Sequence, residues 1–220
     1  VDQALAALVE VDVLPHKVYD KYRMLAHRSA VRDKFDIPWT GVSPRMQRLI
    51  YAINAIAQPR VMVGVGIFCG FTFASNTGAA IGPGACYRAE RLIGIEIDAK
   101  EADRARRNLA TIDEYGQSDI IAADGAPWLR DFNGIIDLLY LDVTDSERKS
   151  KSIYFDMLEA SLHSLHGNSL VLAHNSVSST SDLAKYLNYV RDPLNFRESF
   201  NMFIDSQGLE VSAGYLGNQA

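Results

Sequence analysis

No run of apolar residues in this 220-residue chain approaches the roughly 20 needed to cross a bilayer, so no membrane partner is expected. The first residues lack the basic-then-apolar pattern of a secretory leader, and the expected location is the cytoplasm. Cysteine is scarce, with only Cys69 and Cys86 present. Their spacing permits a bridge, but reduced thiols suit a cytoplasmic protein better, and Cys69 reads as a small packing residue inside a glycine-rich turn. A basic excess is missing too. Lysine and arginine number 22 against 27 acidic residues, which gives a formal net charge of −5 and excludes a nucleic-acid footprint. The densest basic stretch, Arg104-Ala105-Arg106-Arg107, shares its helical segment with Glu101 and Asp103 and reads as a solvated face. There is no internal repeat, and the nearest thing to a low-complexity tract is the short polar loop Ser176–Ser181. At 48% hydrophobic and 22% charged, the composition is that of one globular domain with a well-buried core.

What the chain does have is an apolar run, Val61–Phe73, carrying Gly64, Gly66 and Gly70. A buried strand followed at once by glycines brings backbone close to a bound ligand. The same pattern also serves a tight strand-to-helix turn with no ligand. A second apolar run, Leu92–Ile97, ends on Glu96 and Asp98. A glycine turn followed by an acid at the end of the next strand is the layout of a nucleotide-type site. The spacing G-x-G-x-x-x-G is one residue longer than the dinucleotide fingerprint. It fits the wider turn of S-adenosylmethionine (SAM) enzymes, which have no pyrophosphate to cradle.

Strands and helices alternate through most of the chain. One stretch of helical material is expected over Gln3–Arg32. Ser43-Pro44 then caps and starts a helix that ends at Gln58-Pro59. Strands are expected at Val61–Val65, Leu92–Ile97, Asp119–Ala122, Ile135–Leu141 and Ser169–Ala173, with helices from about Thr72, over Lys100–Leu109, Lys151–Leu165 and Asp182–Val190. Two closing strands, around Phe200–Ile204 and Leu209–Tyr215, read as an antiparallel hairpin. The pattern predicts an α/β fold: a mostly parallel sheet with the last strand antiparallel and helices on both faces. Ligands in such sheets bind outside the carboxyl ends of the strands. Those ends are the glycine turn, Glu96-Ile97-Asp98, Asp124-Gly125, Asp142 and His174-Asn175, so the chemically capable residues fall on one edge.

Glu96 suits the two ribose hydroxyls, Asp124 an adenine amino group, and Thr72 a carboxylate at the start of its helix. Pro127-Trp128 offers a purine wall or packs. His174 has three readings: a general base or substrate contact, a metal ligand, or a locally hydrogen-bonded strand-end residue. His163 and His166 read as surface residues at a helix end, and nothing assigns a role to His16 or His27.

In this order and spacing GIFCGFT (66–72), IGIEID (93–98), DLLYLD (137–142) and LVLAHNSV (170–177) resemble the cation-dependent O-methyltransferases, with catechol and caffeoyl-CoA O-methyltransferases as familiar members. The resemblance runs from about Val42 to Tyr215, and GVSPRMQRLI (41–50) resembles the segment that folds over SAM. It implies a Rossmann-like SAM-methyltransferase fold with a seven-stranded sheet. It also implies one domain over 1–220, with 1–41 a helical cap and 42–220 the core. A SAM site is implied at Val42, Gly64, Gly66, Phe68, Gly70, Thr72, Glu96, Ile97, Asp124, Gly125 and Asp142. Asp142 and Asn175 match metal ligands, and His174 stands where that family has a metal-binding Asp. Asp145 stands near the family's catalytic lysine, and Gly64 where it has Glu. Lys149 or Lys151 would have to supply a lysine from further along, in a register that does not favour them. A set of Asp142, His174 and Asn175 suits Mg²⁺ poorly and a transition metal better. Without a metal, His174 acts as base, with Asp142 and Asp145 as the other catalytic candidates.

The expected activity is SAM-dependent methyl transfer to a small-molecule acceptor, on oxygen or nitrogen, without a strict Mg²⁺ requirement. Trp39, Tyr19 and Tyr22 would cap the acceptor. The alternatives are intramolecular cyclisation of SAM with release of methylthioadenosine, and a SAM-binding protein without catalysis. The family resemblance also implies a homodimer.

Overall fold

The computed structural model describes residues 1–145 and 150–217. Its sheet has seven strands: β1 (Val61–Val65), β2 (Arg91–Glu96), β3 (Ser118–Ala122), β4 (Leu138–Leu141), β5 (Leu170–His174), β6 (Phe196–Met202) and β7 (Leu209–Tyr215). They lie in the order β3-β2-β1-β4-β5-β7-β6. Every pairing among β1 to β5 is parallel, and β7 runs antiparallel to both β5 and β6. The order reverses between β1 and β4, which opens a crevice at the carboxyl ends of those two strands.

The central strands are apolar without alternation because both faces are covered. Met62, Leu92, Leu138, Tyr140 and Leu172 bury one face, where α1 (Asp2–Glu10), α2 (Lys21–Lys34), α3 (Pro44–Ala57), α4 (Phe71–Thr77) and α5 (Ala99–Ala110) pack. Val63, Ile95, Leu139, Leu141 and Val171 bury the other, against α6 (Gly125–Asp131), α7 (Tyr154–Ser161) and α8 (Ala184–Val190). Leu5, Leu8 and Val31 of the two N-terminal helices belong to the same core as α3. No described helix is long and apolar enough to cross a membrane.

Several boundaries differ from the sequence-based expectation. The N-terminal helical material is broken over 11–20, where Asp12 takes a left-handed φ of 56° and Asp20 starts α2 by accepting from Tyr22 N and Arg23 N. Helix α6 was not expected; Asp124 caps it through Ala126 N. Strand β4 starts only at Leu138, because Asp137 turns its carboxylate to Val61 N at 2.7 Å and His166 Nε2 at 3.0 Å. The stretch expected as helix over Lys151–Leu165 is α7 followed by a 3₁₀ turn at Leu162–Ser164. Strand β6 runs Phe196–Met202 rather than around Phe200–Ile204, and it ends early because Asp205 accepts from Gln207 N and Gly208 N in the hairpin turn.

Candidate functional site

A cavity of about 730 Å³ opens at the carboxyl ends of β1, β2, β4 and β5 and is roofed by Trp39–Val42 and Gln207. The first wall is the turn after β1. Gly66 has φ +77°, and a Cβ there would sit 2.5 Å from the backbone oxygen of Asp142. Only glycine lets β1 leave the sheet this close to β4. Phe68 is also left-handed, at φ 49°, and its N–H donates to Glu96 Oε2 at 2.7 Å. Gly64 and Gly70 do not line the cavity. Gly64 lies within β1, where a Cβ would press on Phe73 at 3.0 Å, and Gly70 lets α4 approach Ala105 of α5, where a Cβ would lie 3.1 Å from its Cβ. Both serve close packing here. Thr72, in the first turn of α4, does line the cavity.

Glu96 is half-buried on the second wall, its other oxygen accepting from Asp98 N at 3.1 Å. Burial raises its carboxyl above the ordinary value, and the N–H groups of Asp98, Phe68 and Ile97 pull the other way. It is a carboxylate short of solvation, ready for further donors. Ile97 and Trp39 stand exposed at the mouth, and the Trp39 ring packs on Phe68 at 5.1 Å between centroids. Asp124 and Gly125 close the far end, where Gly125 backs onto Val65 and Met157. Tyr19 and Tyr22 are elsewhere: Tyr19 meets Arg48 and Tyr51, and Tyr22 is exposed. Neither lines this cavity, whereas Trp39, expected alongside them, does.

The third wall is a charged cluster. Asp142 Oδ1 accepts from Lys151 Nζ at 2.8 Å, and its Oδ2 lies 3.1 Å from His174 Nδ1. Burial alone would raise the Asp142 carboxyl, but His174 and Lys151 together hold it well below the usual carboxylate range. A carboxylate only accepts, so Nδ1 carries the proton in this pair. His174 is 2% exposed, its Nε2 has no hydrogen-bond partner, and its backbone carbonyl accepts from Tyr154 OH at 3.1 Å. Asn175, in a left-handed conformation, donates to Gln207 Oε1 at 2.7 Å. Asp145 lines the cavity, and its N–H donates to the Ser150 carbonyl.

Lys151 is the residue the sequence did not place. It comes back to Asp142 because Asp182 accepts from both Lys151 N and Ser150 Oγ. No local pattern signals that tie. Lys149 lies outside the described residues. Gln207 and Met157 also reach the cavity from distant elements. The other histidines sit apart: His163 Nε2 faces the Phe132 carbonyl, His166 faces Asp137, His16 is exposed, and His27 is buried beside Tyr51.

A hard divalent cation such as Mg²⁺ does not fit this donor set. One oxygen of Asp142 faces an ammonium and the other an imidazole N–H, while the Asn175 amide is tied to Gln207. A hard cation would meet a like charge in place of free oxygen ligands. Among the described residues no three His, Cys, Asp or Glu are grouped to hold a metal elsewhere. Both cysteines are free.

No protein-family model matches this chain, and no curated protein matches it in sequence. Solved structures do share its fold. The Bacillus cereus O-methyltransferase, in complex with S-adenosylhomocysteine (SAH), is 12% identical and superposes with a TM-score of 0.65 over 96% of this chain and 97% of its own. The SAH-bound Podospora anserina methyltransferase PaMTH1 is 14% identical, with a TM-score of 0.66 over 98% and 97%. The O-methyltransferase TomG of Streptomyces achromogenes, involved in tomaymycin synthesis and solved with SAM, is 17% identical, with a TM-score of 0.61 over 98% and 97%. At such identities the likeness establishes a common fold.

Proposed function

We propose that this protein binds SAM and transfers its methyl group to a small-molecule acceptor. The observation that carries the reading is Glu96, underpinned by Phe68 N–H and facing a cavity at the topological switch point beside the Gly66 turn. The SAM or SAH named with the fold neighbours supports the same ligand.

The residues present fit that ligand. Glu96 offers acceptor lone pairs to ribose hydroxyls, and their donors relieve the burial that raises its carboxyl. Phe68 and Ile97 give apolar walls beside it, Asp124 an acceptor for an amino group, and Thr72 a hydroxyl for a carboxylate. Bound SAM supplies an already activated methyl group, so the protein needs chiefly to align the acceptor and exclude water. Gly66 and Asp142 set the floor of the cavity, and Trp39 with Phe68 narrows its mouth.

Calorimetric titration with SAM and SAH tests the reading. Glu96→Ala removes a charged partner for two hydroxyls, at about 1.5–3 kcal/mol for each such hydrogen bond, so affinity should fall by at least about tenfold. A wild type that does not bind SAH, or a Glu96→Ala protein that binds as well, would falsify it. Turnover follows from labelled methyl transfer to a panel of phenols and amines. Methylthioadenosine formed without an acceptor would replace methyl transfer with SAM cyclisation.

A further inference from the structure

We propose that the Lys151 ammonium serves as the acceptor-binding cation, so that a lone phenolic oxygen is held as its anion without any divalent metal. The inference rests on the methyl-transfer reading and goes beyond it, because it names the group that activates the acceptor and the kind of acceptor that follows.

Lys151 is positioned, not adventitious. Its side chain and that of Asp142 are 16% and 18% exposed, and both line the cavity. Its backbone is held by the Asp182 carboxylate at 3.1 Å, and its Nζ lies 5.6 Å from the centre of the Tyr154 ring. Asp142 is fixed from the other side by buried His174. An ammonium has three donors, of which Asp142 takes one among the described residues. The other two are available to an oxygen in the cavity.

The consequence for the acceptor is specific. A chelated metal selects two neighbouring oxygens, whereas an ammonium is a point charge that one oxygen satisfies. A vicinal second hydroxyl therefore adds nothing. A phenol ionises near pH 10 in water, and an opposite charge within about 4–6 Å lowers that by roughly 1–3 units; the Asp142 carboxylate on the ammonium and the Asp145 carboxylate on the same cavity work against the anion, so the lower end of that range applies. An aliphatic alcohol is far too weak an acid for such a shift to suffice, and a protonated amine would be repelled. The apolar lining from Val143, Ile153 and the Trp39–Phe68 pair suits an aromatic ring. On binding, the phenol gives its proton to solvent. In the transfer the phenolate oxygen bonds the methyl carbon, the carbon–sulfur bond breaks, and its electron pair stays on sulfur, so no residue has to accept a proton in that step.

The test uses 4-nitrophenol and 4-nitrocatechol, whose ionised forms are coloured, added to the SAH-saturated protein. Bound 4-nitrophenol should half-ionise at least about one pH unit below the free compound, a tenfold or greater preference for the anion. EDTA should leave the shift unchanged, Lys151→Gln should abolish it, and Lys151→Arg should retain part of it. Added Mn²⁺ should stay free by its paramagnetic signal. The proposal is overturned if 4-nitrophenol shows no shift, if Lys151→Gln keeps it, or if EDTA removes it. It is equally overturned if 4-nitrocatechol binds tenfold tighter only when metal is present. A wild type that fails to bind SAH fails the methyl-transfer reading, whereas one that binds SAH but does not ionise 4-nitrophenol fails this proposal alone.

Discussion

Acid should weaken the docking of α2, and His27 is the physical reason. Its imidazole is 4% exposed and packs at 5.9 Å on Tyr51, and Nδ1 has no hydrogen-bond partner. It lies directly against Gly78 and Gly84, where any added Cβ would collide with it. Burial pushes its pKa from 6.5 down to about 4, and the Ala74 backbone offsets this only in part. The folded value is the depressed one. The stabilisation from keeping the ring neutral is therefore complete above pH 6.5 and is lost as the pH falls towards about 4, because the unfolded chain takes up a proton that the folded chain refuses. At about 1.36 kcal/mol per pH unit, the loss between pH 7.5 and pH 4 comes to roughly 3 kcal/mol. That is a large part of the 5–15 kcal/mol, in round terms, that holds a domain together. Urea unfolding of the wild type and His27→Phe at several pH values isolates it, since carboxylates common to both cancel in the difference. The variant should gain about 3 kcal/mol on the wild type across this window, whatever their order at neutral pH. A difference that does not change with pH would refute the reasoning.

Two further changes test the architecture around the site. Gly66→Ala forces an L-residue into φ +77° and drives a Cβ to 2.5 Å from the Asp142 carbonyl, so it should cost about 2–5 kcal/mol in urea unfolding and abolish SAH binding. An alanine protein as stable as the wild type would mean that β1 and β4 are not this close. Glu210→Ala removes a fully buried carboxylate that accepts from Arg191 Nε and Nη2, both at 2.8 Å, and from Ser199 Oγ at 2.9 Å. Because Arg191 is 44% exposed and can turn to water, the expected loss is about 2–3 kcal/mol, below the usual figure for breaking a buried pair. A melting temperature unchanged by this substitution would show that β6 and β7 do not depend on the pair.

The central sheet was legible because its strands are buried on both faces and have to be apolar throughout: IIDLLYL announces β4 as plainly as VMVGV announces β1. Ser43-Pro44 announced α3 for an equally local reason, since the Ser43 hydroxyl accepts from Met46 N within the same turn. Where a long-range partner sets a boundary, the local pattern fails. Asp137 looks like part of a strand until its carboxylate is seen on Val61 N. Asp124 was read for a ligand and also caps a helix. The three glycines looked equivalent, and only the packing partners separate them: Phe73 at Gly64, Asp142 at Gly66 and Ala105 at Gly70.

The sequence by itself therefore determined the layered α/β architecture and the edge on which the polar residues gather. Strand hydrophobicity and side-chain periodicity are properties of neighbours along the chain. It also placed Glu96 and Asp142 at strand ends, because strand ends follow from the same periodicity. Only the tertiary structure decided what Asp142 faces. Lys151 is nine residues on and is tied down by Asp182, 31 residues further, so no spacing rule reaches it. That single ammonium turns an acid matched to metal ligation into one already paired. It took the folded chain to show this, because the charge a carboxylate meets is set by distance in space and not by separation in sequence.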